Sequence, residues 1–184
     1  MMTEEIIIAG FGGQGVLSMG KILAYAGVMQ NKEVSWMPAY GPEMRGGTAN
    51  VTVILSDERI SSPVLNTYDT AIILNQQSLD KFEKSIKPGG TLLFDNNGII
   101  HPPTRTDISI FLVEAAKEAA RLQATKTFNM IVLGAFLKLK PIVDVAFVMA
   151  AIKKSLPSRH HHLLKSNEDA IALGMNLVTE IQHI

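Results

Sequence analysis

The sequence predicts a Rossmann-like α/β fold, in which a mainly parallel sheet is covered by helices on both faces. Residues 5–9 contain the β-branched apolar run Ile6-Ile7-Ile8 and predict a buried strand, and a glycine-rich turn follows them. Residues 14–30 then repeat apolar side chains at helical spacing, so the chain opens with a strand–turn–helix unit. We expect residues 1–184 to form one domain, because no linker, repeat or low-complexity segment interrupts them.

The next segment predicts two strands around a loop. A second strand is expected over 34–36, and a loop rich in proline and glycine over 38–47. Residues 48–55 alternate apolar and polar side chains, as in a half-exposed or edge strand. A polar turn separates them from 60–65, which is expected to pair with that strand as an antiparallel hairpin at an edge of the sheet.

The second half of the chain continues the alternation of strands and helices. The predicted elements are three strands and a helix, over 70–74, 91–95, 108–113 and 114–122. Between the first two strands we expect a polar helix through about residue 86 and a stop at Pro88-Gly89-Gly90. The remainder is expected to be helical, and a capping signal formed by Ser166 and Asp169 predicts a last helix that continues to Ile181.

Composition excludes several classes of function. Lysine plus arginine number 17, and aspartate plus glutamate also number 17. The chain therefore lacks the excess of positive charge that binding to nucleic acid requires. The chain has no cysteine and therefore cannot hold an ordinary iron–sulfur cluster, form a disulfide or use a catalytic thiol. We expect a cytoplasmic protein with no membrane span, because neither a signal peptide nor an apolar run of about 20 residues is present.

A glycine-rich turn is the first motif that points to chemistry. It fits the pattern G-x-G-x-x-G between a predicted strand and a predicted helix, and its candidate ligand-binding residues are Gly10, Gly12, Gly13, Gln14 and Gly15. Glycines permit a tight turn, and the free N–H groups at the start of a helix favour a phosphate or carboxylate. The alternative is that the glycines serve only close packing of strand and helix.

A nicotinamide site requires more than this turn. An acidic residue is needed at the end of the second strand, where it holds the ribose hydroxyls. That place contains Ser35, Trp36 and Met37, while Glu33 lies at the wrong end of the strand. A free-standing NAD(P)-dependent oxidoreductase is therefore the weaker interpretation.

A second motif follows the second strand. Residues 40–47 place a phenol, a carboxylate and a guanidinium in one glycine-bracketed loop, and its candidate contact residues are Tyr40, Glu43, Arg45, Gly46 and Gly47. Arg45 is suited to a phosphate, a carboxylate or a partner chain, although a local Glu43–Arg45 pair is the alternative. If the second strand is parallel to the first, this loop lies at the same sheet edge as the glycine turn.

Two other polar features predict no chemistry. His160, His161 and His162 are consecutive and point in different directions, so we expect a solvated loop and no metal site. Asn129 is expected to be a cap or turn residue at the start of a helix.

The two loops, the strand Thr48-Ala49-Asn50-Val51 and the helical pattern Phe128-Asn129-Met130…Leu133-Gly134-Ala135 together resemble the gamma subunit of 2-oxoacid:ferredoxin oxidoreductases. The resemblance extends from Ile6 to the Asn167…Ala170…Gly174 pattern of the last helix. The form of the second loop and the run Ile60-Ser61-Ser62-Pro63 are more similar to the 2-oxoglutarate or branched-chain types than to the pyruvate type.

The resemblance implies an assembly that decarboxylates a 2-oxo acid, 2-oxoglutarate being favoured, on thiamine diphosphate. It passes electrons through iron–sulfur clusters to ferredoxin and transfers the acyl group to coenzyme A. This chain has no cysteine and no Gly-Asp-Gly…Asn signature. Thiamine diphosphate, Mg and clusters are therefore expected on alpha and beta subunits and on a ferredoxin-like delta subunit where one is present.

The resemblance leaves this chain as a non-redox subunit, inactive alone and without catalytic residues. It implies assembly contacts and a part in receiving coenzyme A, whose phosphates would lie at Gly12–Gly15 with Arg45 as the counter-charge. An assembly-only module that binds no ligand stays open as the alternative.

Overall fold

The computed structural model describes residues 1–40 and 47–181, and in this part of the chain seven strands form one sheet. The order across the sheet is β2-β3-β1-β4-β5-β6-β7. The strands are β1 (Thr3–Phe11), β2 (Glu33–Tyr40), β3 (Thr48–Ser56), β4 (Tyr68–Ile73), β5 (Ile86–Asp95), β6 (Ser109–Val113) and β7 (Thr179–Glu180). The helices are α1 (Val16–Met29), α2 (Gln76–Phe82), α3 (Ala115–Arg121), α4 (Phe128–Leu139), α5 (Val145–Ser155) and α6 (Leu164–Leu177).

The centre of the sheet is parallel and its two ends are antiparallel. β1, β4, β5 and β6 pair in parallel, while β3 pairs antiparallel with both β1 and β2, and β7 antiparallel with β6. The predicted α/β fold with an antiparallel edge hairpin is thus confirmed. The hairpin is formed by β2 and β3.

The predicted pairing of residues 60–65 is wrong, because this segment is not a strand. Both sides of β3 are already occupied, by β1 and β2. β2 is longer than predicted and includes Pro38, which lies opposite Val51. A proline is compatible with an edge strand, where its missing N–H interrupts no second ladder.

The prediction between β4 and β5 is also wrong in detail. α2 ends at Phe82, a short 3-10 turn over Glu83–Ser85 follows, and β5 already begins at Ile86. The predicted stop therefore lies inside the strand. Gly89 has a φ of 75° and its N–H donates to the carbonyl of Asp107 at 2.8 Å, so the backbone turns without leaving the sheet.

Helices cover both faces of the sheet, as predicted. α1, α3, α4, α5 and α6 pack on one face, over buried residues such as Ile6, Val53 and Leu93. α2 packs on the other face, over residues such as Ile73 and Phe94. The alternate faces of the central strands are both buried, which explains why the apolar runs of the sequence are nearly continuous.

The last helix differs from its predicted start and end. α6 begins at Leu164, two residues before the expected cap, and the Ser166 hydroxyl donates back to the carbonyl of Leu163 at 2.9 Å. Asp169 accepts from Lys165 at 2.8 Å instead of capping the helix. Ile181 lies beyond α6, where its N–H donates to the carbonyl of Ile110 at 2.8 Å.

In the described part of the chain, each helix falls short of the length and apolar character needed to cross a membrane.

Candidate functional site

The glycine turn between β1 and α1 requires glycine at two positions. Gly13 has a φ of 94°, and Gly15, the residue before α1, has a φ of 77°. This left-handed region is costly for residues that carry a Cβ. At Gly15 a Cβ would also lie 2.7 Å from Cγ and 2.8 Å from Cβ of Asn129, the second residue of α4. The turn is therefore fixed by its own backbone and by the neighbouring helix.

The side chain of Gln14 ties this turn to the sheet. Its Oε1 accepts from the N–H of Phe11 at 2.6 Å, and its Nε2 donates to the carbonyl of Leu74 at 3.2 Å. These bonds cross the crevice between the carboxyl ends of β1 and β4, where ligands of open α/β sheets commonly bind. A Cβ at Gly10 would lie 2.6 Å from Oε1 of Gln14, so Gly10 provides room for this bridge.

The backbone N–H groups of the turn divide into two sets. Gly12 donates to the carbonyl of Gly47 at 3.0 Å, and Gln14 donates to the carbonyl of Phe11 at 3.2 Å. No residue among 1–40 and 47–181 accepts a hydrogen bond from the N–H of Gly13 or Gly15. Val16, Leu17 and Ser18 begin α1, so their N–H groups also lack helical partners. Five donors at the positive end of a 14-residue helix are thus available to an anion.

A cleft of about 340 Å³ lies beside these donors. Its walls are the glycine turn, the first turn of α1 at Val16–Ser18, and the ends of β2 and β3 at Ala39 and Gly47–Ala49. All of the described residues in these walls are uncharged, so backbone dipoles and the hydroxyl-bearing residues Ser18 and Thr48 supply its polarity. The cleft has the chemistry of an anion site without a fixed cation among the described residues.

The second motif reaches the same edge of the sheet. β2 is separated from β1 by β3, yet two antiparallel pairings in succession give β1 and β2 the same direction. Ala49 lies opposite both Gly10 and Tyr40, so β2 ends and β3 begins beside the glycine turn. Glu43, Arg45 and Gly46, and the side chain of Tyr40, lie outside the described residues.

Asn129 is not the cap that its sequence position suggests. α4 begins at Phe128, Thr127 precedes it, and no side chain caps this helix. A second cleft of about 200 Å³ lies on the far side of the glycine turn, between Gly13, Gln14 and the start of α4. No local sequence pattern predicts the packing of Asn129 against Gly15, because the two positions are 114 apart in the sequence numbering.

Asp95, at the carboxyl end of β5, is another residue that the sequence does not single out. Only 2% of it is exposed, and its two oxygens accept from the N–H groups of Asn97 and Ala116, each at 2.8 Å. Burial raises its pKa above the ordinary 3.8, although the backbone donors act in the opposite direction. Asp95 joins β5 to the start of α3 and lines a polar cleft of about 570 Å³.

The three histidines lie in a 3-10 helix, Ser158–Leu163, rather than in an irregular loop. Nε2 of His161 lies 3.2 Å from the carbonyl of Lys153 and 3.1 Å from that of Leu156. Nδ1 of His162 lies 3.0 Å from the carbonyl of Arg159. Within the described ranges, no group of three or more histidine, aspartate or glutamate side chains is arranged to hold a metal ion.

Known proteins with similar sequences and structures identify the family of this chain. The family model described as pyruvate ferredoxin/flavodoxin oxidoreductase matches residues 5–177. The chain is similar to the 2-oxoglutarate synthase subunit KorC of Methanothermobacter marburgensis, with 32% identity over 188 residues. This similarity covers 98% of the chain and 100% of the relative.

A second relative is the ketoisovalerate oxidoreductase subunit VorA of Methanothermobacter thermautotrophicus, with 44% identity over 140 residues. That match covers 73% of the chain but only 28% of the relative, so the chain spans about a quarter of that longer protein. Among solved structures, the gamma subunit of a keto/oxoacid ferredoxin oxidoreductase from Geobacter sulfurreducens matches with a TM-score of 0.82. Identity is 25%, and 96% of the chain and 97% of that subunit are covered.

Proposed function

The chain belongs to the pyruvate ferredoxin/flavodoxin oxidoreductase family, and we propose that it is the gamma subunit of a multi-subunit 2-oxoacid:ferredoxin oxidoreductase. The match over residues 5–177 carries this proposal. The complex would oxidatively decarboxylate a 2-oxo acid, reduce ferredoxin and form an acyl-coenzyme A. In this proposal, residues 1–184 act as one gamma-type domain.

The electron chemistry is assigned to partner subunits. This chain contains no cysteine with which to ligate a cluster and no Gly-Asp-Gly…Asn signature for thiamine diphosphate and Mg. Alpha, beta and ferredoxin-like delta subunits are the proposed carriers of those groups. The isolated chain is accordingly expected to be inactive.

The part assigned to this chain is the reception of coenzyme A. The free N–H groups of Gly13, Gly15, Val16 and Leu17 would hold the diphosphate in the cleft beside the glycine turn. Arg45 would supply the counter-charge that the described walls lack. Gln14 stays a predicted member of this site, and its side chain, which bonds the backbone of Phe11 and Leu74, would keep the turn in shape.

The proposed 2-oxo acid is 2-oxoglutarate. The similarity to KorC over 98% of the chain supports this assignment. The higher identity to VorA over a shorter stretch favours ketoisovalerate as the second candidate. Comparing kcat/KM for the two acids in the reconstituted complex decides between them.

Tyr40, Glu43, Gly46 and Gly47 are proposed to form contacts with a neighbouring subunit. The carbonyl of Gly47 accepts from the N–H of Gly12. Displacement of Gly47 would therefore break a hydrogen bond to the glycine turn. This link would couple subunit contact to acceptor binding.

Calorimetry with coenzyme A on the intact complex tests the acceptor site. Arg45→Ala should weaken binding about tenfold, the effect of about 1.4 kcal/mol lost from a charge-assisted contact. Arg59→Ala, at an exposed arginine after β3, is the matched control and should bind as the wild type does. Equal affinity in the Arg45 variant would favour an assembly-only module. Tight NADH binding, followed by fluorescence, would favour a nicotinamide enzyme instead.

A further inference from the structure

One exposed stripe of α1 leads away from the proposed coenzyme A cleft. Leu17 and Ser18 line the cleft, and Lys21 follows them after three to four residues on the same side of the helix. A helical turn rises about 5.4 Å, so Lys21 stands about one turn from the cleft. Tyr25, four residues further along, continues the stripe and is half-buried.

A second lysine joins this stripe from α5. Nζ of Lys21 lies 5.6 Å from the ring centroid of Tyr25, and Nζ of Lys154 lies 5.5 Å from the same centroid. α5 starts beside the end of α1, where the N–H of Asp144 donates to Oε1 of Gln30 at 2.8 Å. Near its other end, α5 contacts an earlier residue of α1, because Lys154 lies against Tyr25.

Neither ammonium group is neutralised by the described part of the chain. No carboxylate among residues 1–40 and 47–181 forms an ion pair with Lys21 or Lys154. The sequence from 145 to 167 contains no aspartate or glutamate at all. Each of the two ammonium groups contacts the same Tyr25 ring, and this contact restrains both side chains and lowers the entropy cost of presenting their charges.

We propose that Lys21 and Lys154, gathered on Tyr25, form a second anion subsite that takes a phosphomonoester of the ligand held in the cleft. This inference rests on the proposed function. In coenzyme A the 3′-phosphate is separated from the diphosphate by one ribose, a spacing compatible with one helical turn. Two ammonium groups suit a dianionic phosphate, whereas the diphosphate is served by backbone donors.

Dephospho-coenzyme A, which lacks only the 3′-phosphate, tests this subsite in the reconstituted complex. The wild type should show a KM for dephospho-coenzyme A about tenfold higher than for coenzyme A, as expected for a charge-assisted contact. In Lys21→Gln/Lys154→Gln this ratio should fall towards one, with the KM for dephospho-coenzyme A unchanged. Lys21→Arg/Lys154→Arg should keep the discrimination.

Lys138→Gln removes one exposed charge from the far end of α4 and is the matched control. Equal KM values of the wild type for coenzyme A and dephospho-coenzyme A would overturn the subsite. An unchanged KM ratio in the double glutamine variant would overturn it too. A glutamine variant that no longer assembles assigns these lysines to a subunit contact and also overturns it.

The Arg45→Ala variant separates the two proposals, since it should raise both KM values equally. If Arg45→Ala changes neither value, the proposed cleft fails independently of the lysines.

Discussion

The side chain of Gln14 donates to the carbonyl of Leu74 across the crevice between β1 and β4, at 3.2 Å. The same amide accepts from Phe11 at 2.6 Å, so one glutamine closes the place where the strand order of the sheet changes direction. The cleft of about 340 Å³ beside the glycine turn has walls that include the ends of β2 and β3.

Replacing Gln14 should therefore loosen the turn. Gln14→Ala leaves the carbonyl of Leu74 without this donor, and we expect the free energy of unfolding to fall by about 1–2 kcal/mol. Urea denaturation measures the change. Gln77→Ala removes an exposed glutamine from α2 and should be nearly neutral. Equal stability of the two variants would contradict the bridge.

The two positive-φ glycines of the turn should differ in their tolerance of alanine. Gly13→Ala meets no neighbour within 4 Å and should cost about 1–2 kcal/mol from backbone strain alone. Gly15→Ala should cost about 1–3 kcal/mol more, because the new methyl group would overlap Asn129.

A double-variant cycle isolates the contact with α4. Gly15→Ala combined with Asn129→Ala should recover part of the lost stability, since Cγ and Nδ2 of Asn129 are removed while its Cβ remains. Strict additivity of the two substitutions, measured by thermal unfolding, would show that the helix does not constrain the turn.

The crossing of α4 and α6 depends on two further glycines. A Cβ at Gly134 would lie 2.8 Å from Cα of Ile171, and one at Gly174 would lie 2.7 Å from the carbonyl carbon of Ile131. These neighbours are backbone and cannot rotate away, so either alanine variant should lose about 3 kcal/mol or more. Asn176→Ala, on an exposed position of α6, provides the comparison in the same urea titration. If both glycine variants unfolded at the same urea concentration as the wild type, the close approach of α4 and α6 would be refuted.

Asp95 should impose a pH dependence on stability. Burial raises its pKa in the folded protein above the ordinary 3.8, so the folded state binds the proton more tightly than the unfolded state. Its contribution is fully present below pH 3.8 and is lost as the pH rises through the folded-state pKa. The stability of the wild type relative to Asp95→Asn should therefore decrease on going from acid to neutral pH. Urea titrations between pH 3 and 7 measure this relative stability. If it increased with pH, the carboxyl group would be stabilised as the anion and the prediction would be wrong.

The central strands and α1 could be predicted because local pattern and environment agree there. Residues 6–9 are all apolar, and in the sheet this part of β1 is buried on both faces. The glycine turn was predictable for a related reason, since Gly13 and Gly15 adopt backbone angles that few other residues tolerate.

The features that could not be predicted from the sequence depend on long-range contacts that no local pattern encodes. Pro38 and Gly89 are typical breakers, yet one lies in an edge strand and the other within β5. The position of β3 between β1 and β2, and the contact between Gly15 and Asn129, both depend on packing between distant segments. Lys21 and Lys154 likewise contact the same Tyr25 ring only because α1 and α5 pack together.

Reconstitution measures the central claim most directly. The purified partner subunits, supplied with 2-oxoglutarate, coenzyme A and a viologen dye, should reduce the dye at full rate only when this chain is added. The chain alone should give no reduction, because its sequence has no cysteine and no Gly-Asp-Gly…Asn signature. Dye reduction by the isolated chain, or a full rate from the partners without it, would contradict the account.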